Sequence, residues 1–182
     1  MNNKKTSHIA ELANQYGRQV FQTAYRLLGD KHLAEDIVQD IFLKLFKKNF
    51  TTFEQIQNWS AYLRVMATSA SYDLLRKQSR RAEQPLEKST LQSVESNDQN
   101  DPDKQLMRSR DMNCFRKALC QIPQLEANAF SLRHIEEFSY QQISEQLNIT
   151  TGNVGIALSR AKQNLSRILK ESHFLGAIYE TK

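Results

Sequence analysis

The feature that most constrains this chain is a break in its hydrophobic pattern. From about residue 8 to 81, apolar residues recur at helical three- and four-residue steps; the pattern then stops and returns from about 106 to 169. The interruption, QPLEKSTLQSVESNDQNDPDK, is polar and acidic and holds two of the three prolines. Such a stretch buries too little apolar surface to offset the entropy of ordering it. The simplest account is two small helical domains joined by a flexible acidic linker: residues 8–81, the linker 82–105, and residues 106–171. The tail, 172–182, is left open between an extension of the last helix and a disordered end. Five glycines and three prolines in 182 residues leave few turn formers, which argues for an all-α fold over a loop-rich β architecture.

In the first domain, Ile9, Leu12, Tyr16, Val20, Phe21, Ala24 and Leu28 line one face of an amphipathic helix. Gly29 suits its C-terminal end and Asp30 the cap of the next helix, expected over 31–47 with Leu33, Ile37, Val38, Ile41 and Leu45 inward. Residues 49–58 read as a loop holding Phe50 and Phe53. A third helix is expected over 58–78, with Tyr62, Leu63, Met66, Ala70, Leu74 and Leu75 inward, running into the basic end RKQSRR. In the second domain, helices are expected over 106–121 and, after the break at Pro123, over 125–135.

The segment SYQQISEQLNITTGNVGIALSRAK carries the strongest local signal. Ser139 followed by Gln142 forms a capping box, and Ile143 and Leu147 give a short helix one apolar face. Asn148-Ile149-Thr150 is a tight turn in which Asn tolerates the left-handed conformation. Thr150 or Thr151 then caps a long helix with Val154, Leu158, Ala161, Leu165 and Leu169 inward. Two helices so joined are a helix-turn-helix, whose second helix enters the DNA major groove at its start. Its amides and threonines can hold phosphates, and Arg160, Lys162, Arg167 and Lys170 add positive charge. A plain helical hairpin is the structural alternative.

Two further surfaces stand out. Asp36, Gln39, Asp40 and Leu43 share the face opposite the core of the second helix; they suit a basic partner helix, or form an ordinary solvated face. The third helix carries Trp59, Tyr62 and Arg64 before Arg76, Lys77, Arg80 and Arg81. Basic groups near aromatics suit a nucleic-acid backbone and unstacked bases, or else a core Trp and a helix C-terminus favoured by the macrodipole.

The charge balance, formally +5, is consistent with a polyanionic partner. No apolar run approaches the ~20 residues of a membrane span, and the first seven residues have no signal-peptide core, so a cytoplasmic protein with no membrane insertion is expected. Cys114 and Cys120 are six apart in one expected helix and read as reduced structural thiols. His8, His32, His134 and His173 are scattered, with no metal-ligand spacing, and no catalytic constellation is present. Neither a metal, a cofactor nor an enzymatic activity is expected.

Three stretches together resemble the bacterial RNA polymerase sigma factors of the extracytoplasmic-function (ECF) group. AYRLLGDKHLAEDIVQDIFLKLFKK is similar to conserved region 2, and NWSAYLRVMATSASYDLLRKQSRR to its promoter-melting, −10-reading part. QIPQLEANAFSLRHIEEFSYQQISEQLNITTGNVGIALSRAK is similar to region 4. The resemblance runs from about residue 11 to 169. It implies that Asp36, Gln39, Asp40 and Leu43 grip the clamp helices of the polymerase β′ subunit. It implies that the loop 48–58, with Phe53, captures a flipped −10 base. Trp59, Tyr62, Arg64, Ser69, Arg76, Lys77, Arg80 and Arg81 would lie along the duplex edge and non-template strand. Tyr140, Gln141, Thr150, Thr151, Asn153, Ile156 and Arg160 would read the −35 element, and region 4 would also meet the β flap.

The chain departs from the pattern at two places. Thr68 and Ser69 replace the usual Arg-Asn pair, and Gly155, Ile156 and Ala157 replace the usual Lys, Ser and Arg of the recognition helix. Altered or weakened −35 reading is the expectation, since each lost base contact costs roughly 1–3 kcal/mol of discrimination. The implied function is a sigma factor that binds core RNA polymerase and promoter DNA and directs initiation, in a stress or envelope response under an anti-sigma factor. The alternatives are a sigma-derived regulatory adaptor with weakened DNA reading, and a dimeric helix-turn-helix operator-binding regulator.

Overall fold

The computed structural model describes residues 2–48, 53, 55–82 and 102–179, with side chains described for 5–48, 53, 55–81 and 111–171. Most of the expected linker, the loop residues 49–52 and 54, and residues 180–182 lie outside the described residues. All regular structure among the described residues is helical: α1 (Asn2–Leu28), α2 (Lys31–Lys47), α3 (Trp59–Ala82), α4 (Pro102–Gln121), α5 (Gln124–His134), α6 (Tyr140–Leu147) and α7 (Thr151–Tyr179).

The first three helices form one bundle. Gly29 stops α1 at φ 70°, a conformation an L side chain rarely adopts, and its N–H bonds the Tyr25 carbonyl. Asp30 then caps α2, its carboxylate accepting from the Leu33 amide at 2.9 Å. Asn58 caps α3 in the same way, accepting from the Ala61 amide at 3.0 Å. Val20, Ala24, Ile37, Ile41, Leu45, Leu63 and Ala67 are buried between them. In the second bundle α4 starts at Pro102, earlier than the expected 106; proline suits a first helical position because its missing N–H would have no partner there. The last helix runs through part of the expected tail, to Tyr179.

The two bundles do not sit apart. Two of the three core clusters cross between them. Leu27 and Tyr72 pack with Ala118, Leu119, Ile122, Ala127, Ala161 and Leu165. Ala61 packs with Ala129, Leu132, Phe138, Ile143, Val154 and Leu158. The cause lies in α3, which carries a second stripe besides its inward one: Ala61, Val65, Thr68, Tyr72 and Leu75, spaced alternately four and three apart. Its members are buried or half-buried, and α4, α5 and α6 all contact α3. One helix therefore contributes to all three clusters.

Candidate nucleic-acid and partner interfaces

The helix-turn-helix forms as its local chemistry dictates. The Ser139 hydroxyl accepts from the Gln142 amide at 3.1 Å, and the Gln142 side chain accepts from the Ser139 amide at 2.8 Å. Asn148 ends α6 in the left-handed conformation, φ 52° and ψ 48°. Thr150, rather than Thr151, caps α7, its hydroxyl accepting from the Asn153 amide at 3.2 Å. Buried Ile143, Val154 and Leu158 fix the angle between the two helices.

Every residue assigned by resemblance to the −35 element is exposed: Tyr140, Gln141, Thr150, Thr151, Asn153, Ile156 and Arg160. Ile156, at 52% exposed, is among the most open large apolar side chains. Ala157 does not belong with them. It is 4% exposed and packed in the α5–α7 core, so its small size answers to packing and not to a missing DNA contact. Gly155 lies against Tyr140: a Cβ there would sit 3.8 Å from the ring, an ordinary contact, so nothing steric requires glycine. Arg133 covers the Tyr140 ring at 5.5 Å and bonds the Phe138 carbonyl, holding the aromatic at the mouth of the motif.

On α2, Asp36, Gln39, Asp40 and Leu43 are all exposed, while Ile37 and Ile41 on the opposite side are buried. Phe46, close to Leu43 along the helix, is also 44% exposed, and the Lys5 ammonium lies over its ring at 5.5 Å. Phe46 follows Leu43 by a helical step of three, the spacing that puts both on one face. The surface is an apolar strip beside two carboxylates, suited to a helix with basic and apolar side chains.

The residues assigned to the −10 element divide. Lys77, Arg80 and Arg81 at the end of α3 are exposed. Phe53 is not displayed for a base: it is 5% exposed and packs edge-on against Trp59, with ring centres 5.3 Å apart. Trp59 in turn meets Tyr62 edge-on, and the Lys48 ammonium lies over the Tyr62 ring and bonds its hydroxyl. Phe50 lies outside the described residues.

Arg64, Ser69 and Arg76 are engaged by the second bundle. Arg64 Nε donates to Glu136 Oε2 at 2.6 Å, and its Nη2 to the Glu136 carbonyl at 2.8 Å. Ser69 accepts from Asn128 at 3.0 Å. Arg76 donates to the carbonyls of Cys120 and Ile122, at 3.2 and 2.9 Å. Around them, the Tyr72 hydroxyl bonds Ser131, Gln124 bonds Asp73, and Arg116 donates to the Leu27 carbonyl at the end of α1. Burial pushes the Tyr72 phenol well above its usual range and lowers the Arg116 guanidinium. Thr68 is fully buried and bonds the Arg64 carbonyl within its own helix. Neither departure on α3 leaves an empty place on an open surface, because Thr68 is in the core and Ser69 faces Asn128.

These features define a class: an all-helical, two-module protein with a major-groove-type helix-turn-helix in the second module. Comparisons with known proteins narrow it. The family model for sigma-70 region 2 matches residues 12–81, and that for sigma-70 region 4 matches residues 112–165. The ECF RNA polymerase sigma factor SigW of Bacillus subtilis is 26% identical over 90% of this chain and 89% of its own length. SigM of the same organism is 24% identical over 88% of this chain and 94% of its own. A solved structure of the sigma factor RpoE from Bartonella quintana, in complex with the anti-sigma factor NepR, shares the fold: TM-score 0.52 at 24% identity, covering 93% of this chain and 98% of that one. The chain belongs to the sigma-70 family, in its ECF group. No helix among the described residues is long and apolar enough to cross a membrane.

Proposed function

We propose that this chain is a sigma factor that binds core RNA polymerase and directs promoter-specific initiation. The observation that carries the reading is the coexistence, in family order, of an exposed acidic and apolar face on α2 and a complete exposed reading face on the helix-turn-helix. Asp36, Gln39, Asp40 and Leu43, with Phe46 beside them, dock on the β′ clamp helices, and the second module meets the β flap. Thr150, Thr151 and the α7 amides anchor phosphates while Tyr140, Gln141, Asn153, Ile156 and Arg160 meet −35 base edges. The basic end of α3 tracks the −10 duplex edge and the non-template strand. No covalent step is involved: opening follows from binding unpaired bases better than paired ones. An anti-sigma partner and an envelope or stress stimulus complete the reading; support for the former comes from the NepR complex of the Bartonella quintana neighbour.

A second reading, an adaptor that binds polymerase without selecting promoters, draws on Ile156 and Gly155, which offer no hydrogen-bonding side chain to a base. Reconstituted transcription on a randomised-promoter library separates the two. Core polymerase plus this chain should initiate from an enriched sequence class with two blocks at promoter spacing. Binding to core with no selective initiation favours the adaptor, and no binding to core removes both.

A further inference from the structure

We infer that Arg26 and Arg64 together form a phosphate-binding site for single-stranded DNA, which Glu136 of the second module fills while the two modules are docked. The inference rests on the proposed strand-binding role of α3 and adds to it a site, a new residue (Arg26) and an internal competitor.

The geometry is that of an occupied anion site. The Glu136 side chain is 1% exposed, and its two oxygens are divided between two cations from the other module. Oε1 takes Arg26 Nη1 at 3.0 Å and Oε2 takes Arg64 Nε at 2.6 Å. Arg26 also donates to the Ile135 carbonyl at 3.2 Å, and Arg64 to that of Glu136. Guanidinium groups pair with a carboxylate and with a phosphodiester through the same two-oxygen geometry, so one anion can replace the other. The Arg64 guanidinium lies 4.6 Å over the Phe138 ring, so a second face of the same group is satisfied by an aromatic. An unpaired base offers that contact equally well.

The charges favour exchange over a fixed bridge. Glu136 is a buried carboxylate whose ion pairs both cross between modules, so its burial depends on docking. When the second module leaves, Glu136 returns to water while Arg26 and Arg64 become two uncompensated cations on adjacent helices. The same movement frees Arg76 from the Cys120 and Ile122 carbonyls and Ser69 from Asn128. A DNA strand and the second module therefore compete for one set of groups. The polymerase, by holding the modules apart, would decide the competition.

The test uses the full chain with Cys114 and Cys120 changed to Ser, and a labelled mixed-sequence single-stranded DNA followed by fluorescence anisotropy. Ser69→Cys with Asn128→Cys, positions whose side chains bond at 3.0 Å, locks the docked state on oxidation. The oxidised form should bind at least about tenfold more weakly than the same protein reduced, because the competent population is removed. Glu136→Gln should bind about tenfold more tightly than the parent. Adding Arg26→Ala to Glu136→Gln should weaken binding and lower the salt slope by roughly 0.7. Equal affinity of oxidised and reduced protein overturns the inference, as does a Glu136→Gln affinity equal to the parent's. If either occurs while Arg80→Ala still weakens binding, the strand-binding reading of α3 survives. If no form binds single strands, both fall.

Discussion

Arg64 and Arg160 look alike in the sequence: each is a basic residue on a long helix, in a stretch with a nucleic-acid role by resemblance. Folding separates them. Arg160 lies on the exposed side of α7, and the other residues assigned by resemblance to the −35 element are exposed with it. Arg64 is bound to Glu136 and stacked on Phe138 from the other module. The same contrast extends to the whole of both faces. The residues that resemblance assigns to DNA on the helix-turn-helix are all exposed, whereas Arg64, Ser69 and Arg76 on α3 are engaged by the chain itself. What separates them is the number of sides on which each helix is packed. α7 spends its apolar stripe on α4, α5 and α6 and has a polar side left over. α3 is gripped on two sides, and its exposed basic residues are confined to its C-terminal end, Lys77, Arg80 and Arg81.

The largest effect that tests this contrast is at Tyr72, which is fully buried where the modules meet. Tyr72→Ala should lower unfolding stability by about 3–5 kcal/mol, because a large side chain shared by both modules leaves a cavity. Tyr72→Phe should cost less, about 1–3 kcal/mol, by leaving the buried Ser131 hydroxyl without its partner. Denaturant titration reads both, and a loss below about 1 kcal/mol for the alanine variant would mean the modules are not docked through this residue.

A smaller effect is expected on α2. Asp36→Lys with Asp40→Lys should reduce affinity for core polymerase by about tenfold or more through like-charge contact. Stability should hardly change, since both side chains are exposed. Competition binding against the unmodified chain measures it, and unchanged affinity would reject this face as the polymerase contact.

The smallest effect is at Ile156. Its exposure predicts a stability change within about 0.5 kcal/mol for Ile156→Ala. The cost should fall on one base pair, at about 1 kcal/mol, where an apolar side chain meets a thymine methyl. Selection from a randomised −35 block reads it: the preference at one position should flatten while the others hold. A uniform loss across all positions would place Ile156 in the fold instead.

The parts of this molecule that were legible in the sequence are those governed by local chemistry. The Ser139–Gln142 box, the left-handed Asn148, Asp30 as a cap and Gly29 as a stop each depend on residues within a few positions of one another. The exposed α2 face followed from helical periodicity alone. The docking of the modules depends on pairs such as Arg64 and Glu136 or Tyr72 and Ser131, far apart in the chain, and no spacing rule links them. In HIEEFS, Glu136 and Glu137 are indistinguishable; only the fold buries the first and leaves the second exposed at φ 59°. One trace of the docking was present: the stripe Ala61, Val65, Thr68, Tyr72 and Leu75, a second apolar face on a helix that needed one. Ala157 shows the opposite error, a position read as a lost DNA contact that is a core residue.

The docking of the two modules through α3 is the central claim, and a distance distribution tests it most directly. Spin labels at Lys77 on α3 and Leu125 on α5, both exposed, would be measured by pulsed electron–electron double resonance in the full chain with its two cysteines replaced. The account predicts one narrow distribution for the chain alone and a shift to longer distances when core polymerase is added. A broad distribution for the chain alone, unchanged by polymerase, would contradict it.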